Sequence, residues 1–149
     1  MAGEMSTTAT VNTSEEIRDI LASAKTIAVV GCSDRPSRTS YAIYKYLKEH
    51  GYTVIPVNPN HSECDQDKSY PDLLSIPEDT HIDIVTIFRN PRYTAGMVEV
   101  AVRRSSKTGE KPVIWTQIGV SSPEADELAR EAGLQYVKNR CIMVEHSRT

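Results

Sequence analysis

The segment GCSDRPSRTS, from Gly31 to Ser40, gathers residue types that hold an anion. Gly31 allows a tight turn and a close backbone approach. Ser33, Ser37, Thr39 and Ser40 offer hydroxyls, and Arg35 and Arg38 carry planar guanidinium groups that match phosphate. A helical pattern begins at Ser40, so backbone N–H groups and the positive end of a helix dipole would face the same anion. The same serines and prolines would equally make a turn and a helix cap that bind nothing.

The loop departs from the common phosphate signatures. In G-x-G-x-x-G the third and sixth positions would be Ser33 and Pro36. The acid that would hold an unmodified ribose at the end of the second strand is missing, because that strand ends Val57-Asn58-Pro59. NAD is therefore disfavoured. No G-x-x-x-x-G-K-[ST] occurs, and no G-x-S-x-G. His50, His61, His81 and His146 are scattered, and the H-x-x-C pair His61 and Cys64 has no second pair to complete a zinc site. No residue is assigned a catalytic or metal-binding role.

The elements that position this loop follow from periodicity. Thr13 or Ser14 caps a first helix with Glu15 and Glu16 in its first turn and Ile17, Ile20 and Leu21 on one face. Thr26–Gly31 is a short apolar run, the pattern of a strand buried on both faces. A helix over Ser40–His50 turns Ile43, Tyr46 and Leu47 inward and stops at Gly51. Thr53–Val57 is a second strand, with Pro56 near its end. Asn60–Lys68 is polar loop, Ser69-Tyr70 a short edge strand, and Pro71–Ser75 one helical turn. Ile82–Phe88 is a strand, and Tyr93–Arg104 a helix with Met97, Val98 and Ala101 inward. Pro112–Gln117 is a strand, Ser122-Pro123 opens a helix ended by Gly133, and Leu134–Val137 is the last strand.

This alternation predicts an α/β class: a Rossmann-like, doubly wound, mostly parallel sheet of five or six strands with helices on both faces. Residues 1–12 are expected as a flexible tail and 13–149 as a single domain. Ligands in such sheets sit outside the carboxyl ends of the strands. That selects the loops Gly31–Ser40, Val57–Asn60, Phe88–Arg92 and Gln117–Ser121. A net charge of −3 gives no electrostatic case for nucleic acid. No apolar run is long enough to cross a membrane, and no secretory pattern precedes the first helix. With 3 cysteines and no CxxC, the expectation is a reduced, cytoplasmic protein.

Six segments in register sharpen this. GCSDRPSRTSY, VIPVNP, YPDLLSIPE, DIVTIFRNP, WTQIG and NRCIMVEH make the chain resemble the small single-domain coenzyme A-binding proteins of the YccU type. These are similar to the CoA-binding domain of the succinyl-CoA synthetase alpha subunit. The resemblance runs from about Ser23 to His146 and implies a Rossmann-like fold and CoA, or acyl-CoA, as ligand. It implies that Gly31, Ser33 and Arg38–Ser40 (with Thr39) hold the diphosphate and that Asn58 and Pro59 follow the second strand. Phe88, Arg89 and Pro91 would lie beside the adenosine end, and Trp115, Gln117 and Gly119 nearer the pantetheine arm. Cys141 and His146 match a motif without a derivable role, and Gln66 stands where the family often has glycine.

Arg35, Arg38, Arg89 and Arg92 supply positive charge for the CoA phosphates, and neutral Asn58 suits a 3′-phosphorylated ribose. The implied function is a noncatalytic CoA- or acyl-CoA-binding protein, with the protein partner open. The alternative is an NAD(P)-dependent enzyme with an unrecognised active site. Cys141 is either a thiol for a mixed disulfide with CoA or a small buried cysteine of the last strand region.

Overall fold

The computed structural model describes Val11 and residues 13–149. Helix α1 (Ser14–Ser23) opens with a capping box in which Thr13 Oγ1 accepts from the Glu16 N–H and the Glu16 carboxylate accepts from the Thr13 N–H, both at 3.1 Å. Strand β1 (Thr26–Val30), helix α2 (Thr39–Glu49) and strand β2 (Thr53–Val57) follow. A small hairpin, β3 (Glu63–Cys64) and β4 (Asp67–Lys68), and a 3-10 turn over Leu73–Ser75 come next. Strand β5 (Ile84–Ile87), helix α3 (Pro91–Thr108), strand β6 (Val113–Thr116), helix α4 (Pro123–Glu131), strand β7 (Tyr136–Val137) and helix α5 (Ile142–Ser147) complete the chain.

The main sheet has five strands in the order β2-β1-β5-β6-β7, all parallel. Tyr70 bridges Val57 in parallel on the outer side of β2. It stands where the third strand of a dinucleotide fold would lie, reduced here to one bridge. Pro56 is tolerated because β2 is otherwise the sheet edge. The strands alternate between two covers. Ile27 and Val29 pack with Ile17, Ile43, Leu47 and Ile142 of α1, α2 and α5. Ala28 and Val30 pack with Val98, Ala101, Ala125 and Ala129 of α3 and α4. The Rossmann-like architecture is thus present, with helices on both faces.

Several local expectations need correction. Tyr44, not Tyr46, is the fully buried tyrosine of α2, and Tyr46 packs at the margin of the core. Asn90 caps α3 one residue before Pro91, so that helix begins earlier than expected and runs on to Gly109, whose φ is +81°. Met97 is packed against the core without being buried in it. Asn60–Lys68 is not irregular, because it holds the β3–β4 hairpin. Asp65 and Gln66 form its turn with φ of +50° and +74°, which explains why glycine suits the second position. Val11, within the stretch expected as tail, is buried and bridges Val137 in parallel. The rest of the expected tail up to Asn12 lies outside the described residues.

One buried ion pair fixes the long connection into β5. Arg104 Nε donates to Glu110 Oε1 at 2.6 Å, and its other N–H groups reach the carbonyls of Leu73, Ile76, Pro77 and Thr80 at 2.6–3.0 Å. Glu110 Oε2 accepts from the Ile82 N–H at 2.7 Å. The guanidinium therefore replaces lost water with carbonyls of a segment that has little other regular structure. Removing one partner leaves a buried charge: Glu110→Ala should destabilise the protein by about 3–5 kcal/mol. Urea unfolding checks this.

Candidate functional site

The chain leaves β1, turns outward to β2, and later crosses back to β5 on the other side of β1. The carboxyl ends of β1 and β5 diverge at this switch point, which opens a crevice. An open cleft of about 950 Å³ lies there. Gly31 forms its floor with φ +86°, and its N–H donates to the Val57 carbonyl at 2.8 Å. A Cβ at this position would stand 2.4 Å from the Phe88 carbonyl oxygen. Glycine is therefore required by the approach of two loops as well as by φ.

The first loop supplies Ser33, Arg35, Arg38, Thr39 and Ser40 to the wall, with Ser37. The Ser33 N–H donates to Ser40 Oγ at 3.0 Å, and Ser33 Oγ accepts from the Arg35 N–H at 3.0 Å. These bonds fold the loop onto the start of α2. Arg38 is the N-cap residue of α2 and gives its first turn no side-chain cap. The starts of α1, α3 and α4 are capped by Thr13, Asn90 and Ser122. The α2 N-terminus thus presents amide donors and its positive dipole end to the cleft. Among the described residues Arg35 and Arg38 have no carboxylate partner.

The other three loops contribute unequally. Asn58 lines the cleft, but it is only 8% exposed. Its side-chain amide donates to the Cys32 carbonyl at 2.9 Å and its oxygen accepts from the Asn60 N–H at 2.9 Å. Asn58 therefore joins the first loop to the second. Phe88 and Arg89 line the cleft, with Asn90. The Arg89 guanidinium stands 4.9 Å over the Tyr93 ring, and Arg92 covers the same ring at 5.0 Å. Gln117 also lines it, with its oxygen accepting from the Ile142 N–H at 3.0 Å. Pro59, Pro91, Gly119 and Arg92 are outside the wall. Pro91 opens α3, and Gly119, with φ +81°, makes the turn after β6. Trp115 is fully buried and donates from its ring N–H to the Arg140 carbonyl at 2.8 Å.

Asn60, Ile118 and Val120 also line the wall; they fall within the loops selected from sequence but were not singled out there, and His61, considered only as a metal ligand, joins them. His61 Nδ1 lies 3.5 Å from Asp34 Oδ2, across the mouth of the first two loops. Cys141 is half-buried and also lines the cleft, immediately before α5 and not in a strand. A second depression of about 340 Å³ shares Ile118 and Cys141 with the first and runs on past Val144. Ile118 is 72% exposed there. Helix α5 is held beside it by Gln117 and by the hydrogen bond between Tyr46 Oη and His146 Nδ1 at 2.9 Å. His50 and Tyr52 complete an aromatic cage around His146. Burial, and secondarily His50, hold the His146 imidazole below the usual histidine range.

A family model described as a CoA binding domain matches residues 25–147. The chain belongs to this CoA-binding family. Within it, the uncharacterized protein YneT of Bacillus subtilis is 39% identical over 134 residues, covering 90% of this chain and 94% of YneT. An ADP-forming acetate–CoA ligase of Methanocaldococcus jannaschii is 29% identical over 125 residues, which is 79% of this chain but 17% of the ligase. A hypothetical protein from Pyrococcus horikoshii superposes with a TM-score of 0.85 at 43% identity, covering 97% of this chain and 98% of that one. A Thermus thermophilus structure superposes at 0.82 with 34% identity, covering 92% and 98%.

Two outcomes test the geometry of the CoA-binding domain. Gly31→Ala should disturb both loops at the switch point and lower the melting temperature. Its heteronuclear amide spectrum should shift at Phe88 and Arg89 as well as near residue 31. Because the folded His146 takes up a proton less readily than the unfolded chain, its contribution is intact above about pH 6.5 and is lost as pH falls further. His146→Gln, which keeps an acceptor for Tyr46, should lose less melting temperature than wild type between about pH 7.5 and about pH 5.

Proposed function

We propose that this chain is a noncatalytic coenzyme A- or acyl-CoA-binding protein. The observation that carries the reading is the uncapped N-terminus of α2, aimed with Ser40, Thr39, Arg35 and Arg38 into the switch-point cleft. Amides at a helix start bind a diphosphate without further charge. CoA brings a 3′-phosphate as well, and Arg35, Arg38 and Arg89 supply guanidinium groups around the same cleft.

The end of β2 supports CoA over NAD. Asn58 stands where an acid would hold a free ribose, and its side chain is already bonded to Cys32 and Asn60. It brings no negative charge to repel a ribose phosphate. At the other end, Ile118, Cys141 and Val144 make a partly apolar path from the large cleft into the smaller one. That path suits the pantetheine arm, which carries amides and methylenes and no charge.

The chain spans only 17% of the length of the Methanocaldococcus jannaschii ligase, so the role proposed here is to hold CoA and not the ligase's whole activity. The competing reading, an NAD(P)-dependent enzyme, predicts a different order of affinities.

Isothermal titration with CoA, dephospho-CoA and NADP separates the two. CoA should bind best, and loss of the 3′-phosphate should weaken binding. Arg38→Ala and Arg89→Ala should each lose about 1–3 kcal/mol of CoA affinity if the contacts are charge-assisted. Equal affinity for CoA and dephospho-CoA would remove the arginines from phosphate recognition, and preference for NADP would overturn the CoA reading.

A further inference from the structure

Two thiols lie directly behind the proposed diphosphate loop. Cys32 follows Gly31 in that loop, and Cys64 ends β3 at the hairpin turn. Their Sγ atoms are 3.6 Å apart, and each residue is 1% exposed. Both sulfurs also point at one acceptor, the Ser33 carbonyl, at 3.4 Å from Cys64 and 3.8 Å from Cys32. Ser33 is the residue whose N–H is tied to Ser40 in the first turn of α2 and whose hydroxyl holds Arg35. Free cysteines often pack as small apolar groups, and both belong to the core. Packing alone does not account for two sulfurs facing each other across different elements, with a shared hydrogen-bond acceptor on the loop.

We propose that Cys32 and Cys64 form a reversible dithiol–disulfide site that sets the shape of the Gly31–Ser40 loop. Oxidation by a low-molecular-weight disulfide, R–S–S–R′, balances the step. The Cys64 sulfur, once deprotonated, attacks one sulfur of the reagent and R′–S⁻ leaves as R′–SH with that proton. Cys32 then gives up its proton and attacks Cys64, the bond to R–S breaks, and R–SH departs. Two protein thiols are oxidised by two electrons and one external disulfide is reduced to two thiols.

The surroundings assign the order. Burial raises both thiols above their ordinary range. Cys64 is carried by the hairpin, the element that opens, so Cys64 is the attacking sulfur. Access comes through the hairpin. It is two residues per strand and is tied to α2 by Lys45 to Asp65 at 2.9 Å, Lys48 to Asp67 at 2.8 Å, and the buried Tyr44 hydroxyl to the Cys64 carbonyl at 2.9 Å. Opening an element of this size costs less than global unfolding. Closing the bond to about 2.05 Å draws the sulfurs together and removes both S–H donors from the Ser33 carbonyl. The Ser33–Ser40 tie must then readjust, which weakens the anion site. The loop's ligand is taken from the CoA reading, whereas the thiol chemistry is independent of it.

The test uses Cys141→Ser protein, which retains Cys32 and Cys64 as its two cysteines. It is incubated with 2-hydroxyethyl disulfide, unfolded in alkylating reagent, and weighed intact. The expected product is a monomer lighter by about 2 Da with no alkylatable thiol, restored by dithiothreitol. Oxidised protein should bind CoA at least about tenfold more weakly than reduced protein, and its Ser33–Ser40 amides should exchange hydrogen faster. Recovery of two alkylated thiols, or of a stable adduct with the reagent, overturns the site. A disulfide that changes neither loop exchange nor CoA affinity overturns its control of the loop. If reduced protein fails to bind CoA, the ligand reading falls, while mass and amide exchange still decide the redox inference.

Discussion

The backbone of Gly31 lies so near the Phe88 carbonyl that a Cβ would approach it to 2.4 Å. Much of the molecule is arranged around that contact. It occurs where the chain has gone from β1 outward to β2 and then back across β1 to β5. All five strands are parallel, so the loops from these strands leave the same edge of the sheet. Covering the sheet on both faces leaves that edge as the place where backbone polar groups meet solvent. The Gly31 N–H bonds to Val57, the Phe88 N–H bonds to Val30, and α2 starts where the first loop ends. A cleft at this point therefore follows from topology, and its chemistry from the side chains that the loops carry.

Those side chains divide into struts and free donors. Asn58, Gln117 and Ser40 are polar residues in the cleft wall, which makes each of them look like a ligand contact. Their bonds are internal: Asn58 to Cys32 and Asn60, Gln117 to Ile142, and Ser40 to Ser33. Each joins one loop to another element or folds a loop on itself, and such bonds fix geometry before a ligand arrives. The groups in the wall left for the proposed anion are the amide-rich start of α2 and the guanidinium groups of Arg35, Arg38 and Arg89. The whole chain carries a net charge of −3, yet the field in the cleft is set locally by these groups.

Most of the fold was legible in sequence because its signals were strong and local. Four-residue apolar runs, Thr13 and Ser122 as caps, and Gly51 and Gly133 with φ of +95° and +77° each announce an element. The parts that were missed rest on tertiary contacts. Helix α5 has six residues, too few for a periodic pattern, and it is held by Gln117 and Tyr46 from elsewhere in the chain. The β3–β4 hairpin turns through Asp65 and Gln66 and lacks the glycine that would advertise it. Val11 is a single apolar residue among polar ones, and its burial depends on the Val137 edge. In the cleft wall, Gly31, Arg35 and Arg38 were readable from type and spacing. Residue type alone did not reveal that Asn58 and Gln117 also bond within the scaffold.

The hairpin shows how a sequence departure is absorbed. Gln66 at φ +74° is a position that L side chains adopt at a cost. The hairpin nevertheless forms because its neighbours over-determine it. Tyr44 is fully buried, and its hydroxyl lies within hydrogen-bond reach of the Cys64 carbonyl, at 2.9 Å, and of the Asp67 carboxylate. Lys48 reaches Asp67, and Lys45 reaches Asp65. These contacts come from successive turns of α2, the same helix whose first turn faces the cleft. The hairpin and the cleft therefore share α2 as a support, and Cys64 meets Cys32 where that support joins the loop. A change in the hairpin can reach the loop by two routes, through the sulfurs and through α2. The sulfur route is shorter and acts on Ser33 directly, which makes the thiol pair the point where chemistry could most directly alter the loop.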